Sequence, residues 1–390
     1  MKITIHLISA ARPNFMKIAP LFHALDTEKW ADTKIVHTGQ HYDANMSASF
    51  FNDLQMPEPH YHLGIGSGSH ADQTGNVMIA YEKLLHESTP NLVVVVGDVN
   101  STIACALATT KYISNKDTLF ENMIDENLLD IIPQHRPVMA HLEAGLRSFD
   151  RTMPEEINRL ATDVIADILW PPSPDADDNL LREGIDRRKI TRVGNIMIDS
   201  YEMLKNKILN QKLSDKFSLE ISNYAVVTLH RPHNVDNSEN LKKLCNMLIN
   251  ISKMQKIVFP VHPRTRANLK KYNLFEFLEE NENILLLEPL NYIGFMSLVS
   301  DCKYVLTDSG GVQEETTYMG IPCFTLRPNT ERPITVTQGT NKLCDINNIE
   351  SAINLELNVN PDSYKVPELW DGHTAVRIVN DIKRIFNISS

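Results

Sequence analysis

The sequence has few cysteines and no arrangement of them that suits a disulfide framework or a zinc site. Its 390 residues include five cysteines, an odd number, and no two follow a Cys-x-x-Cys spacing. No apolar stretch approaches the roughly 20 residues that span a bilayer, and the first residues lack the features of a signal peptide. No histidines follow a His-Glu-x-x-His spacing. We therefore expect a cytoplasmic protein with no membrane partner and no metal ion.

Positive charge is also scarce. The chain has 38 Lys and Arg residues against 49 Asp and Glu residues, which gives a net charge of -11. This balance argues against a general binder of nucleic acids or acidic membranes, although a local basic pocket can still hold a phosphate group. A hydrophobic content of 42% and a charged content of 22% are typical of globular proteins. At this length, two domains are expected rather than one.

The order of apolar and amphipathic segments predicts an α/β fold. Residues 92–96 (LVVVV) are apolar at every position, as a strand buried on both faces must be. Short strands of this kind alternate with amphipathic helices in two successive series, which predicts two Rossmann-like domains with mostly parallel sheets facing across a cleft. Other predicted strands are residues 3–8, 33–38, 138–142, 224–229, 256–261, 284–287, 304–307 and 322–326; predicted helices include 15–25, 101–111 and 374–386.

The domain boundaries follow from where the alternation restarts. We predict an N-terminal domain over residues 1–192 and a C-terminal domain over residues 193–373. The helical segment 374–390 is expected to pack back on the first domain. A polar excursion at 115–136 interrupts the first series, and loops of this length are uncommon unless they have a role. We interpret it as a surface decoration or an oligomer contact, with an active-site lid as the alternative.

Charged residues collect at the predicted strand ends of the first half, where ligands bind in doubly wound sheets. Arg12 and Lys17 follow the first strand and suit a diphosphate. Asp98 follows the LVVVV strand and Glu143 follows the strand at 138–142, while Glu155 stands next to a proline that opens a helix. Each carboxylate alone suits a helix cap or a surface position. Two on adjacent strand ends would converge on one site.

The second half offers a glycine-rich segment and two histidines. Residues 307–315 (TDSGGVQEE) follow a strand and open a helix. Glycines allow close approach to a ligand, and N–H groups at a helix start attract phosphate, although an ordinary capped turn explains the same letters. His230 and His262 end two predicted strands at equivalent edges, with Arg231 and Arg264 beside them, which supports a contact with substrate as well as it supports structural roles.

Taken together, these motifs resemble the non-hydrolysing UDP-N-acetylglucosamine 2-epimerase family. The segments that carry the resemblance occur in family order over nearly the whole chain. They are Ala-Arg-Pro-Asn-Phe-Met-Lys at 11–17, Gly-Asp at 97–98, His-Leu-Glu-Ala-Gly-Leu-Arg at 141–147, Pro-Glu-Glu-Ile-Asn-Arg at 154–159, the segment 308–315, and Thr-Glu-Arg-Pro at 330–333.

The resemblance implies a GT-B-like fold, a cytoplasmic homodimer and a role in making precursors of surface polysaccharides. It implies that UDP binds mainly to the second domain, with Phe295 stacking on uracil and Glu315 holding the ribose. The implied contacts of the diphosphate or its surroundings are Ser309, Gly310, Gly311 and Arg332. The implied groups around the sugar and leaving group are Arg12, Lys17, Asp98, Glu143, Glu155 and His230, of which the three carboxylates and His230 are the candidate catalytic residues; His262 is a further candidate for substrate contact.

The implied reaction is elimination of UDP to 2-acetamidoglucal followed by re-addition, which inverts C2 without any cofactor. The chain departs from many relatives at 230–233, where His-Arg-Pro-His replaces His-Arg-Arg-Glu. Bacterial members use that region to bind a second, activating substrate molecule, so regulation can differ here. Four alternatives stay open: a hydrolysing 2-epimerase, a glycosyltransferase of the same fold, a catalytically silent UDP-sugar-binding protein, and a 2-epimerase of a related UDP-diacetamido sugar.

Overall fold

The computed structural model describes residues 2–10, 12–39, 53–114, 119–120, 123–360 and 363–388. The chain divides into two compact units. Unit 1 comprises Met1–Met203 with Glu368–Ser390, and unit 2 comprises Leu204–Pro367. Within the described ranges, no helix has the length and apolar character that crossing a bilayer requires. The division into domains at residues 1–192 and 193–373 stays a prediction.

Unit 1 is built on a six-stranded sheet in which every neighbouring pair is parallel, in the order β3-β2-β1-β4-β5-β6. This is the doubly wound order of a Rossmann-like sheet. The strands are β1 Ile3–Ser9, β2 Ala31–His37, β3 Tyr61–His62, β4 Leu92–Val96, β5 Val138–Leu142 and β6 Ile168–Trp170. The helices that begin in it are α1 Arg12–Asp26, α2 His70–Glu87, α3 Asn100–Lys111, α4 Pro154–Ile165, α5 Pro174–Arg182 and α6 Ile196–Gln211, with short 3-10 helices at Glu126–Leu128 and Arg187–Lys189.

Unit 2 repeats the architecture with six parallel strands in the order β12-β11-β10-β7-β8-β9. Its strands are β7 Tyr224–Thr228, β8 Lys256–Pro260, β9 Ile284–Leu287, β10 Tyr304–Thr307, β11 Cys323–Thr325 and β12 Asn341–Leu343. Its helices are α7 Leu213–Lys216, α8 Pro232–Val235, α9 Ser238–Ser252, α10 Pro263–Lys271, α11 Phe275–Glu279, α12 Tyr292–Ser300, α13 Gly310–Met319, α14 Ile334–Thr337 and α15 Ile349–Glu356; α16 Thr374–Ile385 returns to unit 1.

Local sequence explains where several of these elements begin. All five residues of β4 are buried, and four are valines whose branched side chains suit a pleated surface covered on both faces. Proline occupies the first turn of α4, α5, α8 and α10, where its missing N–H costs no helical hydrogen bond. Helices α5, α8 and α10 begin within four residues of a strand end, so strand-end side chains and helix starts share one edge of the sheet there; α4 begins twelve residues after β5.

The predicted strands agree with the structure to within two residues, and the α/β class with parallel sheets is confirmed. Three short strands were not predicted: β3 Tyr61–His62, β6 Ile168–Trp170 and β12 Asn341–Leu343. All three lie at the edges of their sheets. An edge strand of two or three residues carries too few alternations for a pattern to identify it.

The described part of the excursion lies against the end of α16. The rings of Phe120 and Phe386 are 5.7 Å apart. The Asp125 N–H donates to the Ile385 carbonyl at 2.9 Å, and the Asn387 side chain donates to the carbonyl of Ile124 at 3.1 Å. These contacts give the segment a structural role within unit 1 that neither sequence-based interpretation included.

Helix α16 itself packs on α1 and completes the core of unit 1. One of its faces is buried, including Ile378, Ile382 and Ile385, each with no exposed surface. Asp381 on the same helix accepts a hydrogen bond from the buried indole of Trp170 at 2.8 Å, which joins α16 to the end of β6. Unit 1 therefore depends on a helix that follows unit 2 in the chain.

We predict that Ile378→Ala destabilises the protein by about 2–5 kcal/mol, because a large buried side chain is lost and a cavity remains. Val376→Ala on the same helix is the matched control, since Val376 is 51% exposed and should change stability by less than about 0.5 kcal/mol. Urea unfolding followed by circular dichroism measures both. Equal effects of the two substitutions would contradict the assignment of the buried face.

Candidate active site

Two predicted carboxylates leave the same edge of the sheet in unit 1. Strands β4 and β5 are parallel neighbours, with Val96 opposite Leu142. Glu143 follows Leu142 directly and Asp98 follows Val96 after Gly97, so the backbone brings both acids to the carboxyl edge. This is the edge at which doubly wound proteins bind ligands.

Glu143 is held in an unusual way. Its side chain is 3% exposed, and Oε2 forms a salt bridge with the Lys17 ammonium on α1. The second oxygen, Oε1, is buried and has no hydrogen-bond partner among the described residues. The backbone has φ of 70°, a left-handed conformation that costs a non-glycine residue about 1–2 kcal/mol. Such strain is concentrated at functional sites, because the surrounding structure must enforce it.

Gly97 provides the space for this pair. Its φ is +67°, and a Cβ added there would lie 3.3 Å from Lys17 Nζ and 3.5 Å from Glu143 Oε2. A side chain at this position would therefore crowd the salt bridge and strain the turn. The structure thus brings Lys17 and Glu143 together beside the residue that precedes Asp98.

A buried network fixes the two turns that carry these acids. Asp163 on α4 contacts His141 Nδ1 at 2.6 Å and Arg147 at 2.7 Å, and it accepts from the Gly145 N–H at 3.0 Å. The other ring nitrogen of His141 lies 2.8 Å from the Gly97 carbonyl oxygen. Burial alone would raise the pKa of the Asp163 carboxyl, but His141, Arg147 and the Gly145 N–H hold it below its usual value.

Asp98 is the more open of the two acids, with 32% of its side chain exposed. It forms a salt bridge with the buried Arg159, which also contacts Glu156 at 2.7 Å. The Asn158 amide donates to the Asp98 carbonyl at 2.8 Å. Asp98 is therefore fixed at both its side chain and its backbone by consecutive residues of α4.

The other two predicted site residues of unit 1 are Glu155 and Arg12. Glu155 lies half-buried in the first turn of α4. Its neighbour Glu156 is the buried carboxylate, and it accepts hydrogen bonds from Ser148 and Phe149 as well as from Arg159. Arg12 begins α1, but its side chain lies outside the described part of the chain.

In unit 2, Asp308 organises the loop that carries His230. Strands β7 and β10 are parallel neighbours, so the loops that follow them meet. The fully buried Asp308 carboxylate accepts from the N–H groups of His230 and Arg231 and from the Asn234 amide, at 2.9–3.1 Å. His230 Nδ1 lies 3.0 Å from Asp308 Oδ1. Burial would raise the pKa of Asp308, but these partners hold it below its usual value.

His262 lies beside His230 at the next strand end. The two rings are 5.3 Å apart. His262 Nδ1 accepts from the Arg264 N–H at 3.2 Å, so the histidine caps helix α10. Burial and the adjacent His230 lower the pKa of His262. The structure therefore brings together the two histidines that the sequence singled out.

The glycine-rich segment uses its two glycines differently. Ser309 occupies the position before α13, but its side chain makes no capping hydrogen bond. A Cβ at Gly310 would lie 2.8 Å from Glu331 Oε1 and 3.0 Å from Arg332 Nη1, so a side chain there would displace the ends of these two side chains. A Cβ at Gly311 would meet no described atom within 4 Å. Gly310 thus leaves room for the Glu331–Arg332 pair, whereas Gly311 leaves space in front of the helix start.

Glu315 lies one turn into α13 and is almost fully buried. Burial raises the pKa of its carboxyl to about 8; Glu314 adds to the rise, while Tyr292 and Arg332 oppose it. Tyr292 opens helix α12, and the same helix carries Phe295, which is half-buried. The candidate ribose contact, Glu315, therefore lies on α13, and the candidate uracil contact, Phe295, lies on α12. The first residue of α12, Tyr292, contacts Glu315.

Arg332 joins this group through two carboxylates. Its guanidinium lies 2.8 Å from Glu314 Oε1 and 2.7 Å from Glu331 Oε1. Glu331 Oε2 also forms a salt bridge with Arg327 Nη2, at 2.9 Å. The arginine predicted to hold the diphosphate is therefore already positioned beside Gly310.

Sequence reasoning identified the acids at strand ends but missed the residues that position them. His141 and Arg147 lie in the motif at 141–147 and Arg159 lies in the motif at 154–159, but the sequence alone predicts no role for them. Asp163 and Asp308 were the harder cases, because an acid within a helix or at a helix start is usually a solvated or capping group. A buried location distinguishes them, and no local pattern encodes it.

No group of three or more His, Cys, Asp or Glu side chains in the described part of the chain is arranged to hold a metal ion. The polar groups at the two sheet edges are instead carboxylates paired with cations, and histidines held by a carboxylate. This donor set suits proton transfer and the binding of phosphate or hydroxyl groups.

Two Rossmann-like sheets with polar groups at their carboxyl edges are the architecture of GT-B-like enzymes, which act on nucleotide sugars. The family comparison agrees with this class. The family model of UDP-N-acetylglucosamine 2-epimerase matches residues 23–113 and 134–383. The chain therefore belongs to the UDP-N-acetylglucosamine 2-epimerase family, and the GT-B-like fold class is confirmed. Membership makes it an isomerase by class.

Similar proteins cover nearly the whole chain. The UDP-N-acetylglucosamine 2-epimerase of Methanocaldococcus jannaschii is 41% identical over 97% of this chain and 98% of its own length. A crystal structure of the M. jannaschii UDP-GlcNAc 2-epimerase with UDP-GlcNAc and UDP has a TM-score of 0.83 at 40% identity, covering 98% of this chain and 99% of that one. A UDP-2,3-diacetamido-2,3-dideoxy-D-glucuronate 2-epimerase of Pseudomonas aeruginosa is 37% identical over 86% of both chains.

The raised pKa of Glu315 gives a test of its burial. With a folded pKa of about 8 against an ordinary value of 4.5, Glu315 keeps its proton in the folded protein while the unfolded chain loses it. Its contribution to stability therefore falls as pH rises from about 4.5 to about 8. Glu315→Gln carries no charge in either state, so its stability relative to wild type should increase with pH across this window.

Urea unfolding at pH 5.0, 6.5 and 8.0 measures that difference. Glu279→Gln, a substitution of an exposed acid in α11, serves as the control and should follow wild type. Parallel pH curves for wild type and Glu315→Gln would contradict the assigned environment.

Proposed function

We propose that the protein interconverts UDP-N-acetylglucosamine and UDP-N-acetylmannosamine without hydrolysis. The observation that carries the proposal is the salt bridge of Lys17 with Glu143, whose second, buried oxygen has no hydrogen-bond partner among the described residues. A relative named for this activity, 41% identical over 97% of the chain, supports the substrate.

The hydrogen at C2 is not adjacent to a carbonyl, so a base alone cannot remove it at a useful rate and UDP must leave from C1. Inversion then requires one group that removes the proton and a second group that returns it on the opposite face. In the proposed route, a carboxylate takes the C2 proton while the C1–O bond breaks and its electron pair leaves on the diphosphate. The 2-acetamidoglucal formed then accepts a proton at C2 on the other face, and a diphosphate oxygen forms a bond to C1 again. Electrons are conserved within the substrate, so the reaction itself consumes no oxidant or reductant.

Unit 1 supplies the proton-transfer groups in this proposal. Glu143 is suited to exchange a proton through Oε1, because Lys17 and the rigid turn hold the carboxylate in place. Asp98, fixed by Arg159, is the second group. Glu155 is the third candidate at the same edge, and Arg12 and Lys17 are the candidate cations for the leaving diphosphate.

Unit 2 supplies the nucleotide contacts. We assign uracil to Phe295, the ribose hydroxyls to Glu315, and the diphosphate to Ser309, Gly310, Gly311 and Arg332. A protonated Glu315 donates one hydrogen bond and accepts another, which matches a pair of ribose hydroxyls. His230, held by Asp308, and His262 are the groups proposed nearest the leaving oxygen. Developing negative charge there is stabilised by donors already fixed in position.

Cytoplasmic location and the homodimer stay predictions of this proposal. Both follow from the resemblance and the cysteine pattern rather than from contacts within the chain. Analytical ultracentrifugation of the purified chain would measure its oligomeric state.

We predict that conversion in heavy water places deuterium at C2 of UDP-N-acetylmannosamine and, by reversal, of the remaining UDP-N-acetylglucosamine. Proton NMR follows the loss of the C2 signal in both sugars. An epimer that keeps its original hydrogen would exclude the elimination route, and accumulation of free N-acetylmannosamine would identify a hydrolysing enzyme. An unchanged spectrum would overturn the proposed function.

The two units should respond differently to substitution. Glu143→Gln should lower turnover by about a hundredfold or more while UDP affinity stays within about twofold, because it removes a proton acceptor but no nucleotide contact. Glu315→Ala should weaken UDP binding by about tenfold to a hundredfold, the effect of losing hydrogen bonds worth roughly 1.5–3 kcal/mol. Calorimetric titration with UDP and the NMR assay separate the two effects. The reverse pattern would exchange the assigned roles.

A related UDP-sugar is the second candidate substrate. The P. aeruginosa relative is named for a UDP-2,3-diacetamido-2,3-dideoxy uronate, and it is 37% identical over 86% of this chain. Parallel assays with both UDP-sugars compare kcat/KM directly. A higher kcat/KM for the uronate would move the assignment to that substrate.

A further inference from the structure

Unit 2 contains a cavity that the proposed reaction does not use. Its volume is about 520 Å³, within the range of small-molecule sites. The loops after β7, β11 and β12 line it, together with the first turns of α9 and the residues that precede α15. None of the proposed nucleotide contacts is among the described residues that line it.

One wall of the cavity is a buried arginine. Arg327 is 5% exposed, and its Nη2 donates to Glu331 Oε2 at 2.9 Å. Its Nη1 is buried and has no hydrogen-bond partner among the described residues. A buried donor without a partner costs about 1–3 kcal/mol, and more when it is charged. A guanidinium edge in this state is suited to a carboxylate or phosphate oxygen.

The other charged groups of the lining leave a surplus of positive charge. Lys243 on α9 lines the cavity, and it pairs with Glu239 at 2.8 Å in an exposed ion pair of the kind that contributes little. Asp345 is the acid of the lining, and its carboxylate is engaged by the N–H groups of Asn347 and Asn348 at 2.7 and 3.1 Å. The acid therefore serves the turn before α15, and neither cation of the lining pairs with it.

We propose that this cavity binds a small organic anion through Arg327 and Lys243, with phosphate or carboxylate oxygens as the recognised groups. The asparagine amides around the cavity suit hydroxyl or further anionic oxygens, and the leucine, proline and isoleucine side chains suit a short carbon skeleton. The binding site stands on the described geometry of unit 2 and does not depend on the proposed function.

Two contacts connect the cavity with the proposed nucleotide site. Arg327 and Arg332 share the carboxylate of Glu331. Asn234 also lines the cavity, and its amide donates to Asp308 at 3.0 Å. An anion that draws Arg327 or Asn234 toward itself would change the partners of Arg332 and Asp308. This coupling rests on the proposed function, and it makes the anion an effector of UDP affinity.

The test is a calorimetric titration of pyrophosphate, and separately of citrate, into protein saturated with UDP at constant ionic strength. Saturation keeps the probes out of the proposed diphosphate site. Lys243→Glu should weaken probe binding at least about tenfold, the loss of one charged contact. Lys242→Glu is the matched control, because Lys242 is exposed on the same helix and does not line the cavity. It should stay within about twofold of wild type.

The two probes distinguish the recognised group. Binding of pyrophosphate alone assigns the site to phosphoryl ligands, and binding of citrate alone assigns it to carboxylates. No binding of either probe, or equal weakening by both lysine substitutions, would overturn the proposal.

A second measurement separates the site from the proposed function. The same titration without UDP should give the same difference between Lys243→Glu and Lys242→Glu, even if UDP itself fails to bind. The UDP dissociation constant is then compared with and without the bound probe in wild type and Lys243→Glu. A shift of about threefold or more in wild type alone supports the coupling, and an unchanged UDP dissociation constant would exclude it.

Discussion

The buried contact of Asp163 with His141 is the constraint on which the proposed chemistry of unit 1 depends. Through this pair, one carboxylate on α4 holds the imidazole that reaches the carbonyl of Gly97, while its other oxygen holds the turn at Gly145. The turns after β4 and β5 are thereby joined, and Glu143 is the first residue of the second turn. A buried charge network of this kind is costly unless every member is satisfied. Here its members are satisfied, and the strained backbone of Glu143 persists because of it.

Unit 2 uses the same physical solution with different residues. A fully buried aspartate, Asp308, collects two N–H groups, an amide and an imidazole, and so fixes the loop after the neighbouring strand. In unit 1 a buried aspartate fixes the turns that carry the two acids, and in unit 2 a buried aspartate fixes the loop that carries His230. In the proposed reaction these aspartates position the site, and the acids that follow β4 and β5 transfer the protons.

The sequence predicted the fold well because its signals are repeated. Inner strands such as β4 contain a short apolar run, here LVVVV, and the carboxyl-edge rule then places Asp98 and Glu143 without further information. The edge strands β3, β6 and β12 could not be predicted from two or three residues. The environment of Glu315 could not be predicted either, because its pKa depends on burial and on Tyr292 and Arg332, which are distant in sequence. The cavity beside Arg327 likewise arises from three loops that only the fold brings together.

The return of α16 to unit 1 has a consequence for how the chain acquires its structure during synthesis. Unit 2 is one continuous segment, Leu204–Pro367, whereas unit 1 requires Glu368–Ser390 in addition to Met1–Met203. A ribosome adding roughly 5–20 residues per second completes unit 2 first and supplies α16 about 10–40 s after residue 203. Throughout that interval the surface of α1 that α16 covers lacks its partner. The nascent chain therefore contains the whole of unit 2 before it contains the last helix of unit 1.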